Sequence, residues 1–272
     1  MIRVKEVFSF KNPFITAASG LVHSNNTLYV VSDDERGIIS LQLDLTEKAA
    51  YHAIGGKRLP EDPAKRKKEK PDFECLALFS NSLLLIPSGS TSSRDQGALV
   101  NLDDFKIKPL SFKKSYQYLS KHIPDLNIEG AVINGDHIIL FQRGNGPNKF
   151  NAIIDLKLED LIRDNLDQST ITPVDLGSHN NINLGFTDAT IHKDRIYFLS
   201  VGEASESTYH DGQFEGAYLG IMGFDGVIQK LNPLLIDFKP EGLTIVDDYL
   251  YIVTDSDNRT IESKLYISVE KF

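Results

Sequence analysis

The sequence predicts an all-β chain folded as a five-bladed β-propeller, and three observations lead there. Five segments share one hairpin pattern, they recur at nearly constant spacing, and a lone strand at each end of the chain completes the fifth unit.

The five segments read SGLVHSNNTLYVVSDD from Ser19, ECLALFSNSLLLIPSG from Glu74, EGAVINGDHIILFQRG from Glu129, DATIHKDRIYFLSVGE from Asp188 and EGLTIVDDYLYIVTDS from Glu241. Their starts lie 55, 55, 59 and 53 residues apart, one long four-stranded blade per repeat. Each segment has the form of a hairpin. The turns carry Asn25-Asn26, Asn81, Gly135-Asp136, Lys193-Asp194 and Asp247-Asp248, residues that tolerate positive φ or bond their own backbone. The second strands (LYVV, LLLI, IILF, IYFL, LYIV) are continuous apolar runs, as expected of strands covered on both faces.

Further strands follow each hairpin, for example GIISLQLD and KAAYHAI after the first, and AYLGIMGF and VIQKLNPLLI after the fourth. After the fifth hairpin only KLYISVEKF remains. Residues 2–10 supply the missing strand, closing the ring and removing its free edges. The period shifts towards 3.6 at 113–121 and 158–166, predicting two short helical insertions. No linker interrupts the pattern, so residues 1–272 read as one domain. With no free edge, a monomer is expected.

Composition narrows the function. A formal charge of −9 argues against nucleic-acid binding, which needs basic groups against phosphates. No apolar run is long enough to span a bilayer, and Glu6 and Lys11 interrupt any leader-like segment; no membrane association and a cytoplasmic location are expected. Cys75 is the single cysteine and reads as a small buried filler. Residues 57–70 hold seven basic and three acidic residues, which read as a solvated flexible loop or as a basic rim on the face where the second blade begins.

The first strand of each blade lies nearest the axis, so the repeat delivers Ser19, Glu74, Glu129, Asp188 and Glu241 to one channel mouth. Fourteen residues on come Asp33, Ser88, Arg143, Gly202 and Asp255. The residues that follow the first ring are all small: Gly20, Cys75, Gly130, Ala189 and Gly242. Two unit charges about 5 Å apart repel by about 3 kcal/mol at an effective dielectric near 20, so converging acids demand compensation. Raised pKa values, a cation such as Arg143 or Lys239, or a metal would supply it. The oxygen donors Glu74, Glu129, Asp188 and Glu241 suit a hard cation, calcium before magnesium. Alternatively the same acids cap strand ends or pair with Arg143 and Lys239. No histidine joins either ring; His137 and His192 fall at turns of the opposite face.

Polar loops follow the second strands (STSSRDQG, RGNGPNKF, EASESTYHDGQFEG, SDNRTIESK), placing Arg94, Lys149 and Arg259 on the same face. The repeats, with PDFECLAL, IEGAVI and PEGLTI, resemble those of esterase-like phytase domains and calcium-dependent phosphotriesterase-type propellers. That resemblance implies a propeller with acidic axial residues and calcium, with Glu74, Glu129, Asp188 and Glu241 as the ligands. The chain departs from it in showing five repeats where many relatives have six blades, and in carrying Ser19 where an acid is expected.

Two functions remain open. One is a calcium-dependent hydrolase of a small anionic ester, phosphoester before lactone. Arg143 would stabilise negative charge, and Asp33, Glu203 or Asp255 would act as general base. Ser19, Ser88, Lys149 and Arg259 would hold the substrate. The other is a non-enzymatic module that binds a ligand or a protein.

Overall fold

A computed structural model describes residues 1–46, 48–204, 212–256 and 258–272. Strand β1 (Ile2–Ser9) opens the chain, and the first antiparallel meander follows as β2 (Ala18–Ser24), β3 (Thr27–Ser32), β4 (Gly37–Gln42) and β5 (Ala50–Ala53). Helix α1 (Pro63–Glu69) leads to the second meander: β6 (Phe73–Phe79), β7 (Ser82–Pro87), β8 (Gln96–Asn101) and β9 (Ile107–Ser111). Helix α2 (Lys113–Leu119) precedes the third: β10 (Ile128–Asn134), β11 (His137–Gln142), β12 (Ala152–Lys157) and, after helix α3 (Leu158–Ile162), β13 (Thr170–Pro173).

The remaining strands form one nine-stranded sheet: β14 (Ser178–His179), β15 (Ile182–His192), β16 (Arg195–Glu203), β17 (Phe214–Met222), β18 (Ile228–Leu235), β19 (Lys239–Val246), β20 (Tyr249–Asp255), β21 (Lys264–Ser268) and β1. Within it, β15–β18 form a fourth antiparallel meander and β19–β20–β21–β1 a fifth. A short parallel pairing, Ile2 with Leu234 and Arg3 with Leu235, stitches the two together. The N-terminal strand therefore pairs with the last strand of the chain, as expected.

Strands β2, β6, β10, β15 and β19 touch one another in a closed cycle. A hydrophobic layer lies between each successive pair of meanders, including the last and the first, where Leu21, Val30 and Ile39 meet Tyr251, Val253 and Leu265. The innermost strands approach closely. A Cβ on Gly242 would sit 2.9 Å from the backbone of Gly20 and Leu21, which is why small residues recur there. The turn chemistry is as expected at Asn25 and Asn26, Lys193 and Asp194, and Asp247 and Asp248, which all have positive φ; in the second hairpin Ser80 takes it rather than Asn81.

Two expectations need correction. Each first strand bulges at its repeat position, leaving Ser19, Glu74, Glu129 and Glu241 outside the register, but in β15 the bulged residue is Thr187. Asp188 therefore belongs one step deeper, level with Gly20, Cys75, Gly130 and Gly242. Counting back six residues from the Lys193-Asp194 turn, as in the other hairpins, gives the true register. The outer ring position of this meander is then Val201, not Gly202. The basic stretch, in turn, is not a plain flexible loop. Asp62 caps the amide of Lys65 at 2.8 Å and Pro63 enters the first turn, so the segment folds as α1.

Candidate axial site

The bulges aim the side chains of the repeat acids out of the ladder and towards one end of the axis. There they line a small funnel of about 50 Å³ with six carboxylates (Asp33, Asp72, Glu74, Glu129, Glu241, Asp255) and five cations (Lys67, Lys70, Arg94, Arg143, Lys239). Burying so many charges is tolerable because most of them are paired.

The pairing falls into two networks. In the first, Arg143 at the end of β11 lies 3.2 Å from Glu129 and 3.8 Å from Glu241, and bonds Glu203. Lys239, opening β19, lies 3.1 Å from Glu241 and 3.8 Å from Glu203. Asn127 donates to Glu129 at 2.6 Å, and the Gly212 amide donates to Glu203 at 2.5 Å. In the second network, Lys70 contacts Asp33 and lies 3.0 Å from Asp72, while Arg94 lies 2.8 Å from Asp72. Ser88 donates to Asp72 as well. Arg66 anchors α1 beside this network, 3.3 Å from Asp34 and 2.5 Å from Glu35.

Desolvation dominates the protonation of these acids. Burial, with the charges of Asp34 and Asp72, raises Asp33 to about 6 even though Lys70 opposes it. Burial and then the carboxylates of Glu129, Asp72 and Asp33 hold Glu74 well above the usual range. Burial raises Glu129 and Glu241 too, against Arg143 and Lys239. Burial works to lower Lys70, yet Asp33, Asp72 and Glu74 keep it well above its ordinary value.

The four acids expected to share a metal do not act as one set. Glu129 and Glu241 already hold Arg143 and Lys239. Asp188 accepts the Leu243 amide at 2.8 Å from its deeper position, with burial pushing its carboxyl well up, so it caps backbone inside the ring. Only Glu74 stands in a close group of carboxylates, with Asp33 and Asp72, each offering an oxygen within 4.8 Å of the others. Glu74 makes no hydrogen bond or ion pair among the described residues, and one oxygen of Asp33 is buried without a hydrogen bond. Lys70, between Asp33 and Asp72, and Arg94, against Asp72, are cations resident beside this trio. The donors fit a hard divalent ion with waters completing its shell.

The other expected residues scatter. Asp255 lines the funnel, and Glu203 is bound into the Arg143 network. Ser19 donates to the Phe73 carbonyl and serves the backbone. Lys149 lies off the axis in a neighbouring cleft, and Arg259 is at the rim, 3.7 Å from Asp34. Cys75 is buried with its thiol pushed well up by burial, in keeping with a filler role. His137 and His192 pair with Asp155 and Asp248 away from the mouth. Of the loops expected to frame the site, residues 205–211 and 257 lie outside the described residues. Sequence reasoning missed Asp72 and Lys70. Lys70 ends a connection that does not repeat, but Asp72 stands two residues ahead of Glu74, level with Ala17, Asn127 and Lys239 in the other meanders, a position the two ring counts left out.

The family of unknown function DUF6929 matches residues 14–269. The chain belongs to this family. No curated protein matches this DUF6929 chain. Among solved structures, a luciferin-regenerating enzyme superposes with a TM-score of 0.52 at 12% identity, over 98% of this chain and 95% of that one. Virginiamycin B lyase from Staphylococcus aureus gives 0.47 at 12% identity, covering 99% and 100%. The β-propeller domain of Cps50 (Swd1) from Myceliophteria thermophila gives 0.43 at 11%, covering 88% and 63%. These neighbours are β-propeller proteins, and at such identities the likeness concerns fold alone. The closed cycle of inner strands, each opening an antiparallel meander, makes the DUF6929 chain an all-β protein of β-propeller type. Among the described residues no helix is long and apolar enough to cross a membrane.

Proposed function

We propose that this chain is a five-bladed propeller whose axial mouth hydrolyses a small anionic ester with the help of calcium. Five meanders around a closed cycle of inner strands support the blade count, the nine-stranded sheet being two blades stitched at their outer strands. The observation that carries the functional reading is the Asp33–Asp72–Glu74 trio at the funnel wall, a hard donor set beside a dense array of buried charge. Folding alone does not call for such an array, and perturbed carboxylates gather where chemistry is done. The phytase-like resemblance of the repeats points the same way.

In this reading the trio holds calcium in place of the Lys70 ammonium. The ion, when bound, supplies polarisation of the scissile group. Arg143 and Lys239, fixed by Glu203 and Glu241, stabilise developing negative charge. Asp255, in the funnel wall beside Glu241, is the general base. Glu203 orients Arg143 rather than moving a proton, because Arg143, Lys239 and the Gly212 amide already engage it.

A panel of phosphomonoesters, phosphodiesters and lactones tests this. Turnover should be abolished by EDTA, restored by calcium, and lost in Glu74→Gln and Asp255→Asn. A panel with no EDTA-sensitive turnover would overturn it. The second reading, a ligand-binding module, is favoured by one observation: Glu129, Glu241, Asp33 and Asp72 each already hold a lysine or arginine of the chain.

A further inference from the structure

Arg143 is a wall shared by two cavities. On one side is the axial funnel. On the other is a larger cleft of about 330 Å³ between the third and fourth meanders. We propose that this cleft binds a small hydroxylated monocarboxylate of monosaccharide size. The site goes beyond the hydrolase reading and stands without it.

The cleft is built rather than incidental. Its floor is the buried Arg143–Glu203 pair. Arg143 lies across the floor because residue 185 is glycine, where a Cβ would come within 2.9 Å of Arg143 Cγ. The loop after β11 is clamped to β15 through Asn151, which accepts the Gly144 amide at 2.7 Å and donates to the Leu184 carbonyl at 2.8 Å. That clamp fixes the two walls against each other, and Asn148 bonds Asp125 at 2.7 Å to hold the loop tip.

The lining chemistry defines the ligand class. Arg143 and Glu203 neutralise one another, which leaves Lys149 as the remaining charge of the lining among the described residues. Lys149 forms no ion pair among the described residues. One net positive charge suits one carboxylate. Asn145, Asn181 and Asn183 ring the cleft. Each amide both donates and accepts, the pairing pattern of a hydroxyl, so three of them suit a polyol. Ile182 and Val201 add a modest apolar patch for the carbon skeleton. The volume lies at the small end of ligand pockets.

The test is equilibrium binding by calorimetry in EDTA, so that neither turnover nor calcium contributes. D-glucuronate is the probe, with D-glucose, acetate and glucose 6-phosphate as comparisons. Glucuronate should bind best of the four. Lys149→Met and Asn183→Leu, both exposed and expected to leave the unliganded melting temperature unchanged, should each weaken it about tenfold or more, the worth of one charged or well-made hydrogen bond. The proposal is overturned if glucuronate does not bind, if glucose or acetate binds as well, or if neither variant weakens binding. Because binding is read without catalysis, an inactive hydrolase panel leaves this result intact.

Discussion

The two networks at the axial mouth contain similar groups but are assembled differently. Arg143 and Lys239 come from strand ends, and the acids they hold, Glu129, Glu203 and Glu241, come from strands too. Lys70 and Arg94 arrive on connections, one following α1 and the other in the loop after β7. The first network is therefore as rigid as the inner ring. The second holds its cations on segments that can withdraw without unpairing a strand. A fixed half that organises charge beside an exchangeable half that accepts a cation is the arrangement the proposed chemistry needs. It also makes the two halves separable by mutation.

The sharpest way to break the comparison is Arg143→Met. It takes from Glu129 the cation that holds it and a partner from Glu203 and Glu241, all in a buried setting, and should cost about 3–5 kcal/mol of stability, measured by chemical denaturation. A loss below about 1 kcal/mol would mean that the strand-borne half is not a fixed unit. Lys70→Met should cost less, about 1–3 kcal/mol, because Arg94 and Ser88 still serve Asp72. The same substitution should tighten calcium binding by removing a resident cation, which titration calorimetry would read.

Acidity sharpens the contrast further. Asp33 titrates at about 6 in the folded protein, against about 3.9 for an unfolded chain. A raised carboxyl contributes stability that is fully present below about pH 4 and lost as pH rises through about 6. Lowering the pH from about 7.5 to about 5.5 should therefore raise the melting temperature, with Glu74, Glu129 and Glu241 acting in the same direction. Asp33→Asn should flatten this dependence, and an unchanged slope would remove Asp33 from the account. The smallest effect is expected at Asp188→Asn. Burial already favours the neutral carboxyl, and the amide oxygen can still accept the Leu243 N–H, so stability should change by less than about 1 kcal/mol.

Much of the fold was legible because its cause is local and repeated. The turn pairs Asn25-Asn26 and Asp247-Asp248 fixed their hairpins, and the apolar second strands marked the layers between meanders. The strand-borne network followed from the same arithmetic, which put Glu129, Arg143 and Glu241 at one end of the axis. The arithmetic failed at Asp188, where Thr187 takes the bulge and an acid occupies a position otherwise kept small. The turn at Lys193 held the correct count. The connection-borne network was illegible for a different reason. Lys70 meets Asp33 across two meanders, and nothing in the spacing of a non-repeating segment reports where its end will be anchored, whereas Asp72 holds the place of Ala17, Asn127 and Lys239, which the ring counts left out. The helix start at Asp62 and Pro63, within the basic run, is passed over by the flexible-loop reading.

The central claim is that the exchangeable half, not the fixed half, takes the divalent ion. Thermal unfolding in EDTA, then with calcium restored, tests it most directly on wild type, Glu74→Gln and Glu129→Gln. A ligand bound only to the folded state adds about 2.7 kcal/mol at a hundred times its dissociation constant, enough to move the midpoint by a few degrees. Calcium should raise the midpoint of wild type and of Glu129→Gln but not of Glu74→Gln. A wild type that does not respond, or a response lost in Glu129→Gln and kept in Glu74→Gln, would contradict it.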